Sequence, residues 1–113
     1  MDITFGRILK EIRKTKAISQ RDLADKIDVD FSYISKIEND RLPPPSAELI
    51  KKISAALEVS GDVLWAYSGK LDSELTSMLT SSPEAIKFMN QVRDMNLSHD
   101  DWKKLTSNLK TLR

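Results

Sequence analysis

Apolar side chains recur along the whole chain at the three- and four-residue spacing of amphipathic helices. The first such segment, residues 5–15, carries basic side chains on its other face. The same spacing defines four further segments before residue 70. The apolar positions of these segments are Phe5, Ile8, Leu9, Ile12, Leu23, Ala24, Ile27, Tyr33, Ile34, Ile37, Leu49, Ile50, Ile53, Leu57, Val63, Leu64 and Tyr67. The pattern therefore predicts an all-α protein that begins with five helices.

Serine and aspartate residues mark where these helices begin, because their side chains can accept hydrogen bonds from the free amides of a first turn. Ser19 predicts a second helix from residue 20, with Asp22 in the position that completes a capping box. Asp30 predicts the start of a third helix, which the prolines at 43–45 prevent from continuing. Ser46 and Ser60 predict the starts of the fourth and fifth.

Beyond Gly69, a predicted helix stop, the chain continues with a short apolar segment and a Ser/Thr-rich run at 80–82. Ser82 followed by proline, and Ser98 followed by Asp101, predict the starts of two more helices. We expect residues 1–69 and 70–113 to form two separate regions, the second one dimerising the protein through its apolar side chains. The predicted dimerisation residues are Phe88, Met89, Val92, Met95, Trp102, Leu105, Leu109 and Leu112. Folding of these helices back onto their own domain is the alternative.

Composition narrows the possible chemistry. The chain has 113 residues, no cysteine and a single histidine, His99, which fits a surface position better than a ligand position. No nucleophile constellation, glycine-rich phosphate loop or metal-ligand spacing is present in the sequence. We therefore expect no enzyme, no metal and no cofactor. Because no apolar run reaches the length of a membrane span, we also expect a cytoplasmic protein without a membrane partner.

Two helices joined by a very short turn, with a capped second helix, are typical of a helix-turn-helix. Residues from about 5 to 67 resemble the lambda repressor-like, or XRE, DNA-binding domain of bacterial and phage regulators. The most specific pieces are "SQRDLADKI", "YISKIEND" and "LIKKISAAL", which occur in the order and spacing of that family. The resemblance implies a five-helix DNA-binding domain in which residues 31–38 form the recognition helix.

The resemblance also implies roles for individual residues. Residues at the positions where the family reads bases are expected to contact the major groove, and residues at its backbone-contacting positions are expected to bind phosphate. The expected base readers are Phe31, Ser32 and Lys36, and the expected backbone contacts are Gln20, Ser35, Asn39 and Arg41. Arg13 and Glu38 occupy positions that form a structural ion pair in the family. Phe31 could instead be half-buried, and Tyr33 could combine core packing with a phosphate contact.

The charge distribution complicates this interpretation. Residues 1–21 carry a net charge of +4, whereas residues 22–40 carry −4, and the whole chain carries only +1. Asp28 and Asp30, where the family more often has small residues or glycine, would repel phosphates. We expect weak binding by one copy and specific binding by a homodimer on a pseudo-palindromic operator, most simply as a repressor.

Two other functions remain open. In the first, the C-terminal helices bind a regulatory protein, as in an antitoxin-like protein, and DNA binding serves autoregulation. In the second, the chain is a protein-interaction module that does not bind DNA, which only the acidic turn and the near-neutral charge favour. The sequence does not choose between a repressor and an activator.

Overall fold

A computed structural model describes residues 3–113, and this range is entirely helical apart from turns and loops. The first five helices are α1 (Phe5–Thr15), α2 (Gln20–Lys26), α3 (Phe31–Glu38), α4 (Ala47–Leu57) and α5 (Asp62–Ser68). They are followed by α6 (Ser73–Leu79), α7 (Pro83–Met95), α8 (His99–Asn108) and a 3₁₀ helix (Leu109–Leu112). The predicted all-α fold is confirmed. The chain divides into two compact units, one that ends at Ser73 and one that covers Glu74–Arg113.

The first unit has a closed hydrophobic core. Helix α3 packs against α1 and α2, α5 packs against α1 and α4, and α2 also packs against α4. Side chains from all five helices reach this core because their apolar residues share one face. Its fully buried members are Leu9, Leu23, Ile34, Ile37, Ile50, Ile53, Leu57 and Leu64.

Helix α1 approaches α3 unusually closely at Gly6. A Cβ atom at this position would overlap the carbonyl oxygen of Ile37 and come within 2.8 Å of the Asp40 side chain. Glycine is therefore required where α1 crosses the end of α3. The contact fixes the position of α3 in the unit.

Most predicted helix starts are present. The hydroxyls of Ser19 and Ser46 accept hydrogen bonds from the amides of Asp22 and Leu49, at 3.0 and 3.2 Å. In α2 the cap is one-sided, since among the described contacts the Asp22 side chain does not return a bond to Ser19. The prediction of a complete capping box at this helix was therefore wrong.

The predicted start of α5 also needs correction. Gly61, not Ser60, is the N-cap residue, and the Ser60 hydroxyl accepts a bond from the Asp62 amide at 3.3 Å from one position further out. A Cβ at Gly61 would lie 2.6 Å from Nε1 of Trp65. The packing of Trp65 over this turn therefore favours glycine at the N-cap position, and Ser60 lies one residue before it.

The second unit contains α7 and α8. The hydroxyl of Ser82 caps α7 ahead of Pro83, and α7 ends at Asn96, which has a left-handed backbone with φ of 51°. At α8 the predicted capping box is complete, because the Ser98 hydroxyl accepts from the Asp101 amide at 3.2 Å and the Asp101 carboxylate accepts from the Ser98 amide at 3.0 Å.

The predicted C-terminal helix is shorter than its apolar spacing indicates. Helix α8 ends at Asn108, and the remaining turn, Leu109–Leu112, is 3₁₀. A last helical turn has no following amides for its carbonyls, and the tighter 3₁₀ bonding satisfies some of them. Leu109 and Leu112 therefore do not continue the straight apolar face that the sequence predicts. No helix in the described part of the chain is both long and apolar enough to cross a membrane.

Candidate nucleic-acid interface

Helices α2 and α3 form a helix-turn-helix with a turn of very few residues. Asp28 adopts the left-handed conformation with φ of 57°, and the amide of Val29 donates to the carbonyl of Ala24 at 3.0 Å. Aspartate tolerates this conformation better than most residues, although glycine fits it best. The acidic turn noted in the sequence is thus compatible with the tight connection that the motif requires.

Asp30 occupies the N-cap position of α3 but does not cap its amides. Its carboxylate instead accepts a hydrogen bond from the hydroxyl of Ser32 at 3.1 Å. The prediction that Asp30 caps the helix is right about the position and wrong about the contact. Both side chains are exposed.

A buried ion pair joins α1 to the end of α3. Arg13 donates from Nε to Oε2 of Glu38 at 2.7 Å and from Nη2 to Oε1 at 2.9 Å. Its Nη1 donates to the carbonyl of Ile18 at 2.9 Å. The hydrogen bonds to Glu38 raise the pKa of Arg13, against the opposing effect of burial. The bidentate pair therefore ties α1 to the end of α3 inside the domain.

The same carboxylate also holds Gln20 of α2. The Nε2 of Gln20 donates to Oε1 of Glu38 at 3.0 Å. Glu38 thus connects three helices: Arg13 lies on α1, Gln20 on α2 and Glu38 itself on α3. The ion pair between Glu38 and Arg13 was expected from the sequence, but the contact between Glu38 and Gln20 was not. No short-range sequence signal links residues 20 and 38.

Of the three expected base readers, Phe31 and Ser32 lie in the first turn of α3, and Lys36 lies in its last turn. Ser32 and Lys36 are exposed, and no hydrogen bond or ion pair of the Lys36 ammonium is found in residues 3–113. Phe31 is only half-exposed, because it packs against the hydrophobic core. Its ring also carries the guanidinium of Arg21, whose Cζ lies 4.4 Å from the ring centroid.

Of the other expected backbone contacts, Ser35 lies within α3, and Asn39 and Arg41 follow its end. The side-chain amide of Asn39 donates to the carbonyl of Ser35 at 2.9 Å and approaches its hydroxyl at 3.4 Å. Arg41 is exposed. Tyr33 packs against the core, and burial raises the pKa of its hydroxyl. The side chain of Arg21, which the sequence analysis did not single out, belongs to the same surface through its contact with α3.

The second unit presents apolar side chains on its surface. Of the predicted dimerisation residues, only Val92 is buried, at 8% exposure; Met95 and Leu112 are exposed at 68% and 78%. A groove of about 360 Å³ runs between α7 and α8, and five apolar and four polar residues line it. Its lining includes Phe88, Val92, Met95, Leu97 and Leu105.

Comparison with known proteins identifies the family. The helix-turn-helix family matches residues 9–64. The HTH-type transcriptional regulator SinR of Bacillus licheniformis is 34% identical over 106 residues, which cover 88% of this chain and 95% of SinR. SinR of Bacillus subtilis is 33% identical over the same shares of both chains.

Two solved structures are similar as well. A crystal structure of SinR, described as the master regulator for biofilm formation, in complex with DNA matches 54% of this chain and 97% of its own, with 39% identity and a TM-score of 0.51. A chain in the structure of the SinR protein/SinI protein complex matches 95% of this chain and 95% of its own length, with 28% identity and a TM-score of 0.53. This chain therefore belongs to the SinR-like family of helix-turn-helix transcriptional regulators.

Proposed function

We propose that this regulator binds double-stranded DNA sequence-specifically, with the start of α3 in the major groove and α2 across the phosphate backbone. The observation that carries the proposal is the three-helix contact at Glu38, which binds Arg13 and Gln20 together. This contact holds α2 and α3 as one rigid unit, and a rigid unit loses little conformational entropy on binding. The similarity to the SinR–DNA complex supports the same function.

The exposed side chains supply the chemistry that DNA binding needs. The Lys36 ammonium on α3 has no partner within residues 3–113 and can bond guanine O6 and N7, and Ser32 can donate to or accept from a base edge. Gln20 donates one of its two amide hydrogens to Glu38, which leaves the other for a phosphate oxygen. Because Arg13 neutralises Glu38, the carboxylate beside Gln20 repels a phosphate less than a free one would. Ser35, Asn39 and Arg41 complete the proposed backbone contacts.

We further propose that residues 70–113 dimerise the protein. A monomer would leave the apolar side chains of α7 and α8 in water, and a two-fold interface would bury them. Such a dimer would bring two recognition helices about one DNA turn, roughly 34 Å, apart on a pseudo-palindromic operator. Two half-sites would compensate for the small net charge, +1, of one copy of the chain. Repression by occupying the operator, in the cytoplasm and without catalysis, is the simplest resulting activity.

A second candidate function is the binding of a regulatory protein by the C-terminal helices, with DNA binding serving autoregulation. The similarity over nearly the full chain to SinR in complex with SinI favours it. The groove between α7 and α8 offers an apolar surface to such a partner.

A selection from a randomised DNA-duplex library tests the DNA-binding proposal. The intact chain should enrich an inverted repeat, and affinities for single-base variants of that repeat then separate the residue roles. Lys36→Ala should change which variants are preferred, because its ammonium contacts bases. Gln20→Ala should weaken all variants equally, by about 1 kcal/mol, because it loses a phosphate bond. If no sequence is enriched, the proposed DNA binding is contradicted. If Lys36→Ala weakens all variants equally and Gln20→Ala changes the preference, the proposed roles of these two residues are contradicted.

A further inference from the structure

Arg21 is fixed above the first residue of α3. Its guanidinium lies over the ring of Phe31, with Cζ 4.4 Å from the centroid. Arg21 is exposed on the first turn of α2, and Phe31 begins α3. We infer that Arg21 is a DNA-phosphate contact of this protein and that Phe31 is the platform that holds its guanidinium in place. The inference rests on the proposed DNA binding and assigns it a further residue.

The contact with Phe31 does not satisfy the N–H donors of the guanidinium. A cation–π contact supplies no oxygen or nitrogen acceptor for them. Within residues 3–113 the Arg21 side chain has no hydrogen bond or ion pair to a protein acceptor. Its donors are therefore available to an acceptor from outside the chain, and a phosphate accepts two of them at once.

The position of Arg21 favours a phosphate over a base edge. It lies on α2, the helix that crosses the backbone in a helix-turn-helix, and it follows Gln20, the proposed phosphate contact. The ring of Phe31 restrains the guanidinium before DNA arrives. A restrained side chain loses less rotamer freedom on binding than a free arginine does.

Charge gives a further reason for a cation at this point. Residues 22–40 carry a net charge of −4, including the exposed Asp28 and Asp30 in the turn before α3. Arg21 places a positive charge against Phe31, the residue that follows Asp30 in that acidic segment. It would therefore offset the repulsion between the turn and a nearby phosphate.

This arrangement changes the expected role of Phe31. Its ring packs against the core and is covered by Arg21, so that less of it is free to contact a thymine methyl. A platform and a base reader make different predictions. The loss of a platform weakens binding only through Arg21, whereas the loss of a base reader changes sequence preference whether or not Arg21 is present.

A double-mutant cycle on the intact chain tests the inference, with the duplex most enriched by the wild type as the probe. Arg21→Ala should lower affinity about tenfold in about 0.1 M salt, equally for all single-base variants, and should reduce the salt slope by about one. Phe31→Leu should lower affinity roughly threefold in the wild type and not at all in the Arg21→Ala background. Phe31→Tyr, which keeps the ring, should retain wild-type affinity.

Lys26→Ala is the matched control, because it removes one exposed positive charge from the other end of α2. Its effect should stay below about twofold, as expected for a charge that acts only at a distance. Equal effects of Lys26→Ala and Arg21→Ala would overturn the inference, as would a Phe31→Leu change in sequence preference that persists without Arg21. If Phe31→Leu does not fold, the salt slopes of Arg21→Ala and Lys26→Ala decide. Failure of the wild type to enrich any duplex would instead overturn the proposed function itself.

Discussion

The two units of this protein use apolar residues in opposite ways. The unit that ends at Ser73 buries eight large side chains almost completely, whereas Glu74–Arg113 has Val92 as its one buried apolar residue among those described. In the second unit, Phe88, Trp102 and Leu109 remain 51%, 45% and 61% exposed. The helices of both units are amphipathic, so the difference lies in whether the apolar faces find partners within the chain.

The first unit buries its apolar faces within the chain, and the second unit leaves most of its apolar faces exposed. Burial of apolar surface is the main favourable contribution to folding, at about 25 cal/mol per Å². The first unit has the partners that this contribution needs. The second has correctly capped helices but few buried contacts, so its stability depends on what covers its surface. The exposed apolar surface of the second unit is therefore available for binding, but it contributes little to the stability of that unit.

Cutting the chain after Ser73 is the strongest test of this difference. The shortened protein should unfold cooperatively and sediment as a monomer, because its core is complete and it keeps Lys70, which donates from Nζ to the carbonyls of Pro44 and Pro45 at 3.2 and 2.7 Å. The intact chain should sediment as a dimer and bind the operator far more tightly. An intact chain that is monomeric at micromolar concentration would show that the second unit does not dimerise the protein.

The same substitution placed in each unit gives the next largest difference. Leu57→Ala removes a fully buried side chain and should lower the free energy of unfolding by between about 2 and 5 kcal/mol. Leu109→Ala should lower the unfolding free energy of the monomer by less than about 1 kcal/mol, and should weaken dimerisation instead. Chemical denaturation combined with sedimentation separates the two effects. Equal losses of monomer stability would mean that the second unit is packed as completely as the first.

Breaking an ion pair should also lower stability more in the first unit than in the second. Glu38→Ala leaves Arg13 buried without its carboxylate and should cost roughly 3 kcal/mol of stability. Glu84→Ala removes the exposed partner of Lys87, at 3.5 Å, and should cost less than about 1 kcal/mol. Melting temperatures measure both. A Glu38→Ala variant with an unchanged melting temperature and no DNA binding would show that Glu38 serves DNA recognition rather than stability.

The smallest expected difference concerns left-handed residues. Ala17 has φ of 56° and Asn96 has φ of 51°. Alanine is strained by roughly 1 kcal/mol in this conformation, whereas asparagine tolerates it. Ala17→Gly should therefore raise stability by up to about 1 kcal/mol, and Asn96→Gly should change it by less than about 0.5 kcal/mol. A destabilised Ala17→Gly variant would show that the flexibility of glycine in the unfolded chain outweighs the relieved strain.

The helices could be predicted from local features of the sequence. The features that define them involve residues only a few positions apart, so they can be read from the sequence without the tertiary structure. These features are the apolar spacing, the caps at Ser19, Ser46 and Ser98, and the stop at Gly69. The resemblance to a known family added the helix-turn-helix and its recognition helix. The local errors lie at the start of α5, where the packing of Trp65 favours Gly61 over Ser60 as the N-cap, and at the end of α8, where the helix changes to 3₁₀.

The contacts among side chains of the candidate interface could be found only in the tertiary structure. The contact of Gln20 with Glu38 and the contact of Arg21 with the Phe31 ring join residues of different helices, and no local pattern encodes such distances. The close approach at Gly6 likewise depends on the crossing of α1 and α3. Helix formation is dictated by backbone hydrogen bonds and apolar periodicity within a few turns, whereas these contacts exist only once the core has brought separate helices together.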